Sequence, residues 1–146
     1  MKTLSVLVFL VLAFSANAQT VFDYKKKSSA NATPRTAMLN LLRAEVKKEI
    51  NQDVVFVVNH FLVSGNYAWL EASAQSKNGN ELKMPGDDYD CCNVQSLFVK
   101  NAKGTWQIAA SGAFSTDLWY DCIGKEYPKA NPKIFTDAAY SSRCEN

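Results

Sequence analysis

Apolar side chains recur at Met38, Leu42, Val46 and Ile50, with Leu39 and Leu41 widening the stripe, while Arg43, Lys47, Lys48 and Glu49 fall off it. Four-residue spacing gathers those apolar groups on one face of a helix. Thr33 is a good N-cap and Pro34 is tolerated at the first helical position, so an amphipathic helix of about 16 residues is predicted to open there. The pattern then changes period. Val54, Val55, Phe56, Val57 and Val58 form a β-branched run that continues through residues 59–63 to a turn at Ser64, Gly65 and Asn66. A continuous run of this kind reads as a strand whose first half is covered on both faces.

Residues 67–75 alternate instead, with Ala68, Leu70, Ala72 and Ala74 on one side and Tyr67, Trp69, Glu71, Ser73 and Gln75 on the other. Strict alternation predicts a half-buried strand. Asn78 and Gly79 signal a hairpin into a short strand at residues 81–84, which Pro85 and Gly86 end. Two further strands are predicted at 93–100 and 105–110, with Val94, Leu97, Phe98, Val99, Trp106 and Ile108 supplying core. Ser115, Thr116 and Asp117 offer a cap to a short helix at 118–123 that Gly124 closes, and the tail beyond it has no apolar period. Short connections imply antiparallel neighbours, and a one-faced apolar sheet needs a helix laid across it. The fold class is therefore α+β: an N-terminal amphipathic helix packed on an antiparallel sheet of about five strands, a short C-terminal helix and a disulfide-stapled tail.

The ends add an address. Lys2 supplies a positive charge, residues 4–14 an unbroken apolar stretch, and Ala16, Asn17 and Ala18 the small-x-small pattern of a signal-peptide cleavage site between Ala18 and Gln19. The apolar stretch is shorter than the ~20 residues a membrane helix needs, so the mature form is expected without a membrane anchor. Residues 19–32 are polar and read as a flexible leader, followed by one domain over 33–146. A formal charge of +2, with a single basic run at Lys25, Lys26 and Lys27, is not the footprint of a nucleic-acid binder. The expected location is exported, either periplasmic or secreted.

Export changes the meaning of Cys91, Cys92, Cys122 and Cys144, since an oxidising compartment favours disulfides over free thiols or zinc. Adjacent cysteines make poor partners because a disulfide prefers Cα atoms about 5.5 Å apart. Cys91 and Cys92 are accordingly expected to reach separately to Cys122 and Cys144, in either combination.

Candidate chemistry is sparse. His60 is the sole histidine, so any imidazole mechanism runs through it, yet it lies on a strand with no nucleophile motif such as G-x-S-x-G in the chain. Asp87, Asp88 and Asp90 crowd three carboxylates beside a turn but lack the spacing of an EF-hand loop, and they read as a solvated loop. No metal and no cofactor is expected. Trp69, Trp119 and Tyr120, with His60, are the candidate binding residues, because aromatic side chains give large contact area at low entropic cost. A pocket of this fold class would lie between the long helix and the concave side of the sheet.

Motifs at Arg35, Thr36, Ala37, Met38 and Leu39, at Gly65 through Ala72, at Gly104, Thr105 and Trp106, and at Gly112 through Asp117 resemble a group of uncharacterised exported bacterial proteins. That resemblance implies an envelope or secreted location and no activity. The element order is also similar to cystatin-like and nuclear-transport-factor-2-like folds. The Q-x-V-x-G loop of cystatins is missing, since Gln52, Asp53, Val54, Val55 and Phe56 lack its glycine. The functional expectation is a non-enzymatic domain that binds a small molecule or an envelope or extracellular protein. The alternatives are an enzyme of cystatin-like architecture with a cleft near His60, or an inhibitor of a secreted hydrolase.

Overall fold

The structure, a computed structural model, describes residues 19–144. The predicted signal peptide, and with it Ala18 of the cleavage site, lies outside the described residues. Five strands form one antiparallel meander in the order β1-β2-β3-β4-β5: β1 Val21–Asp23, β2 Val54–Ser64, β3 Tyr67–Ser76, β4 Asn93–Lys100 and β5 Trp106–Ala113. One helix, α1 Ala32–Ile50, lies across one face. Three short 3-10 turns, Ile123–Glu126, Pro132–Ile134 and Ser142–Cys144, carry the tail. The α+β class and the helix-on-sheet packing follow the sequence pattern.

The helix stripe is buried as its spacing predicts, through Met38, Leu39, Leu42, Val46 and Ile50. Its start differs. Asn31, not Thr33, is the N-cap, and the Asn31 side chain accepts from the Ser28 amide and donates to the Lys26 carbonyl. Those bonds order the segment read as a flexible leader, which also holds β1: Val21 pairs with Ser64 and Asp23 with Leu62. Three residues are too few to show a period, so β1 is invisible to pattern analysis.

The fifth strand of the sheet is thus β1 and not residues 81–84, which form no strand. The Gln52 side chain donates to the Lys83 carbonyl at 2.7 Å and accepts from the Lys83 amide at 3.0 Å. With its backbone satisfied by an amide side chain, that segment joins no ladder, while Leu82, Met84 and Tyr89 pack down on the helix-side core. The short helix expected at 118–123 is likewise replaced by turns, because Cys122 takes a left-handed conformation, φ 58°, that breaks helical repeat before Ile123.

β2 changes parity at a bulge. Val58 pairs with Ala72 and His60 with Glu71, leaving Asn59 as the extra residue. Val54, Phe56 and Val58 therefore face α1 before the bulge, and Phe61 and Val63 face it afterwards. Gly65, at φ +56°, turns β2 into β3, and a Cβ there would meet the Gln19 amide at 2.9 Å.

The sheet has two cores. α1 covers Phe61, Leu70, Val94 and Phe98 on one face, while the tail covers Trp69 and Leu97 on the other with Ile123, Ala130, Ile134, Phe135 and Ala139. Fully burying each such side chain contributes about 1.5–3 kcal/mol. Cover from the tail does not extend to the first half of β2. Val55 is 39% and Val57 46% exposed, so the run expected to be buried on both faces is dry only toward α1.

The disulfides also differ from expectation. Cys122 pairs with Cys144, Cα atoms 5.6 Å apart, and Cys91 pairs with Cys92. The tail folds back so that the Cys122 amide donates to the Ala138 carbonyl and Gly124 to Ala139, which brings Cys144 beside Cys122. Cys91 and Cys92, at the start of β4 beside Ala74 of β3, then have only each other.

Candidate functional site

Trp69, Trp119 and Tyr120 do come together. Ring centroids lie 6.4 Å apart for Trp69 and Trp119, 5.8 Å for Trp69 and Tyr120, and 5.7 Å for Trp119 and Tyr120, with Phe135 5.8 Å from Trp69. They sit on the tail side of the sheet, away from α1. Trp69 is fully buried beneath the tail, Phe135 is buried beside it, and Trp119 and Tyr120 are half-buried, so these rings are the mortar of the second core. Gly112 makes room for this, since the Trp119 indole lies where a Cβ would stand.

His60 stands directly across from Glu71 in the β2–β3 register, on the same face. Its Nε2 lies 2.6 Å from the Ile134 carbonyl oxygen, an acceptor only, so Nε2 carries the proton and donates. The Glu71 carboxylate accepts from Trp69 Nε1 at 3.0 Å and from Thr136 Oγ1 at 2.5 Å. Burial, then the charges of Glu71 and Asp121, raise the Tyr120 phenol above its ordinary pKa. His60 and Glu71 tie Ile134 and Thr136 of the tail to β2 and β3, Trp119 Nε1 reaches Gln95 of β4 at 3.4 Å, and the Trp69–Glu71 bond lies within β3. It is chemistry of attachment. Asp87, Asp88 and Asp90 point into solvent on the long β3–β4 connection. Among the described residues no group of three or more His, Cys, Asp or Glu side chains converges as metal ligands would.

Two other places stand out. A cleft of about 590 Å³ lies between the end of β3 and that connection, lined by Gln75, Ser76, Asn80, Glu81, Leu82 and the Cys91–Cys92 pair. The second place is the outer edge of β2. β1 pairs only with residues 62–64, and Tyr24 then donates its amide to the Phe61 carbonyl before the chain turns away. Among the described residues, positions 54–60 have a strand neighbour on the β3 side alone. Alternate backbone N–H and C=O groups along that edge face outward unpaired, flanked by the exposed Val55 and Val57.

Charge gathers around this edge. At its start a groove of about 460 Å³ runs between α1 and β2, lined by Asn40, Arg43, Ala44, Lys47, Asp53 and Lys77. The guanidinium of Arg43 sits 5.7 Å from the centre of the Phe56 ring. Lys47 bonds Asp53 at 2.7 Å, and that bond, with the charges of Lys47 and then Lys77, holds the Asp53 carboxyl below its usual pKa. At the far end Arg35 donates to the Tyr24 and Lys25 carbonyls, which fixes the exposed Lys25, Lys26 and Lys27 near Phe61. Sequence reasoning noticed the lysine run and the valine run separately. Nothing local could show that the first brackets the free edge of the second.

Compared with protein-family models, curated proteins and solved structures, the chain matches none. The two disulfides accord with an oxidising compartment, and among the described residues no helix is long and apolar enough to cross a membrane.

Proposed function

We propose that this protein is an exported, disulfide-stapled, non-enzymatic binding domain that takes an extended segment of another protein as a further strand on β2. The free apolar edge at residues 54–60 carries this reading. An unpaired edge is an aggregation hazard that proteins blunt with charge, bulges or cover. Here the bulge at Asn59 and the nearby cations blunt it without closing it. Strand addition supplies affinity through backbone hydrogen bonds and specificity through the side chains on either face. Val55 and Val57 offer the apolar contact on one face, and the groove beside α1 offers it on the other.

The bonding of His60 to the Ile134 carbonyl and of Glu71 to Trp69 and Thr136 speaks against a catalytic cleft around His60. A second reading, a small polar ligand in the cleft beside Cys91 and Cys92, is favoured by the convergence of Gln75, Ser76, Asn80 and Glu81 there. Selection of a random peptide library on the immobilised oxidised protein, followed by amide hydrogen exchange with the selected peptides, separates the readings. Protection confined to residues 54–60 supports strand addition. Protection at 74–82 and 91–92 favours the cleft, and protection at neither place refutes both.

A further inference from the structure

Resting on that reading, we infer that the segment received by β2 is acidic: a strand of about seven residues bearing carboxylates toward both ends, drawn in by Lys25, Lys26 and Lys27 at one end and by Arg43 and Lys77 at the other.

The slot is bounded on both sides. It begins where β1 leaves the sheet at Tyr24 and ends where β2 begins at Val54, a span of roughly 23 Å at 3.3 Å per residue. At the β1 end the chain turns immediately into Lys25, Lys26 and Lys27, all exposed. The neighbouring carboxylate, Asp23, accepts from the Lys25 amide. At the other end Asp53 is bonded by Lys47, which leaves Lys77 without a carboxylate partner among the described residues. Arg43 has a neutral partner, Asn40, at 2.7 Å. Burial, and then the charge of Arg43, lower the pKa of Arg35. A carboxylate arriving beside Arg43 offsets that charge.

A second copy of this chain is a poor occupant. Residues 54–64 hold no acidic side chain, and Asp53 just before them is already bonded by Lys47, so a second β2 laid along the first brings no free carboxylate to the cations at either end. A neutral strand satisfies the backbone and the valines equally well but leaves the cations unanswered. Like-charged groups around an unpaired edge also discourage copies from meeting edge to edge, so one set of residues both repels self and attracts an acidic partner.

The test uses three fluorescein-labelled peptides of alternating sequence with Val on one face and Glu, Gln or Lys on the other. Fluorescence anisotropy is read with the oxidised protein at low and high salt. The Glu peptide is expected to bind about tenfold more tightly than the Gln peptide, and the Lys peptide most weakly, with the difference shrinking as salt rises. R43Q and K77Q are expected to narrow the gap between the Glu and Gln peptides, and an unchanged gap overturns the placing of carboxylates beside those two cations. A Glu peptide N-methylated at alternate residues cannot form a ladder and is expected not to bind, a control that leaves the protein unaltered. Equal binding of Glu and Gln peptides overturns the acidic assignment and leaves strand addition standing. Failure of all three to bind overturns both. A concentration-dependent dimer that V57K abolishes makes the occupant a second copy and overturns the inference.

Discussion

The disulfide pairing makes a prediction whose size can be worked out. The Cys122–Cys144 bridge spans a sequence separation of 22, and closing a loop of that size in the unfolded chain stabilises the fold by about 3.4 kcal/mol on the chain-entropy model. Cys91 and Cys92 are adjacent, so their bridge restricts almost no unfolded chain and its entropic contribution falls below about 1 kcal/mol. Had Cys91 and Cys92 reached across to Cys122 and Cys144, each bridge would close about 30 to 50 residues and contribute about 4 kcal/mol. The variants C122A/C144A and C91A/C92A, compared with the oxidised parent in urea, are expected to differ strongly. The first should lose about 3 kcal/mol and melt roughly 12 °C lower, since a domain of this size shifts ~4 °C per kcal/mol. The second should stay within about 1 kcal/mol of the parent. A loss near 4 kcal/mol in C91A/C92A, or a non-reduced digest in which Cys91 or Cys92 stays linked to a tail peptide, refutes the pairing.

W69A removes the largest fully buried side chain from the centre of the tail-side core and should cost about 3–5 kcal/mol in urea unfolding, with W69F losing markedly less; equal small losses would mean the tail is not docked there. His60 should be the Nε2–H tautomer in long-range ¹H–¹⁵N spectra near pH 8, and an Nδ1–H signal would contradict its bond to Ile134. The Asp53 pKa is lowered by the Lys47 bond, so its contribution to stability is present above the ordinary carboxylate range near pH 4 and is lost as pH falls through the lowered value. K47M should flatten that acid limb, and an unchanged limb counts against the pair. V55K/V57K should leave stability within about 0.5 kcal/mol because both side chains are already wet, whereas a large loss would show them to be buried.

What the chain reveals on first reading is what repeats locally. The four-residue stripe of α1 and the alternation of β3 are set by neighbours in sequence, and both faces stand where their periods place them, although Trp69, on the side of β3 expected to be wet, is fully buried beneath the tail. β1 is too short to have a period, and its partner lies about 40 residues away. The tail has none either, and its burial depends on Trp69 and Leu97 reaching it from strands far upstream. The run at residues 54–58 misled because a β-branched sequence has the same appearance whether covered by its own chain or left open at an edge. Trp69, Trp119 and Tyr120 were identifiable as a group by type, but their contact with one another does not distinguish a pocket from a core. Adjacency argued against a Cys91–Cys92 pair, whereas where the tail returns decides which cysteines are in reach.

The split between two cores also bears on how the protein is made. Everything α1 covers is complete once Phe114, just past β5, has been synthesised, whereas the opposite face stays bare until the segment from Trp119 to Tyr140 emerges. Trp69 and Leu97 are therefore the surface by which a chain lacking that segment differs from one that has it. A protease or chaperone that reads exposed apolar surface would in effect be checking whether that segment has arrived and been fastened by the Cys122–Cys144 bridge.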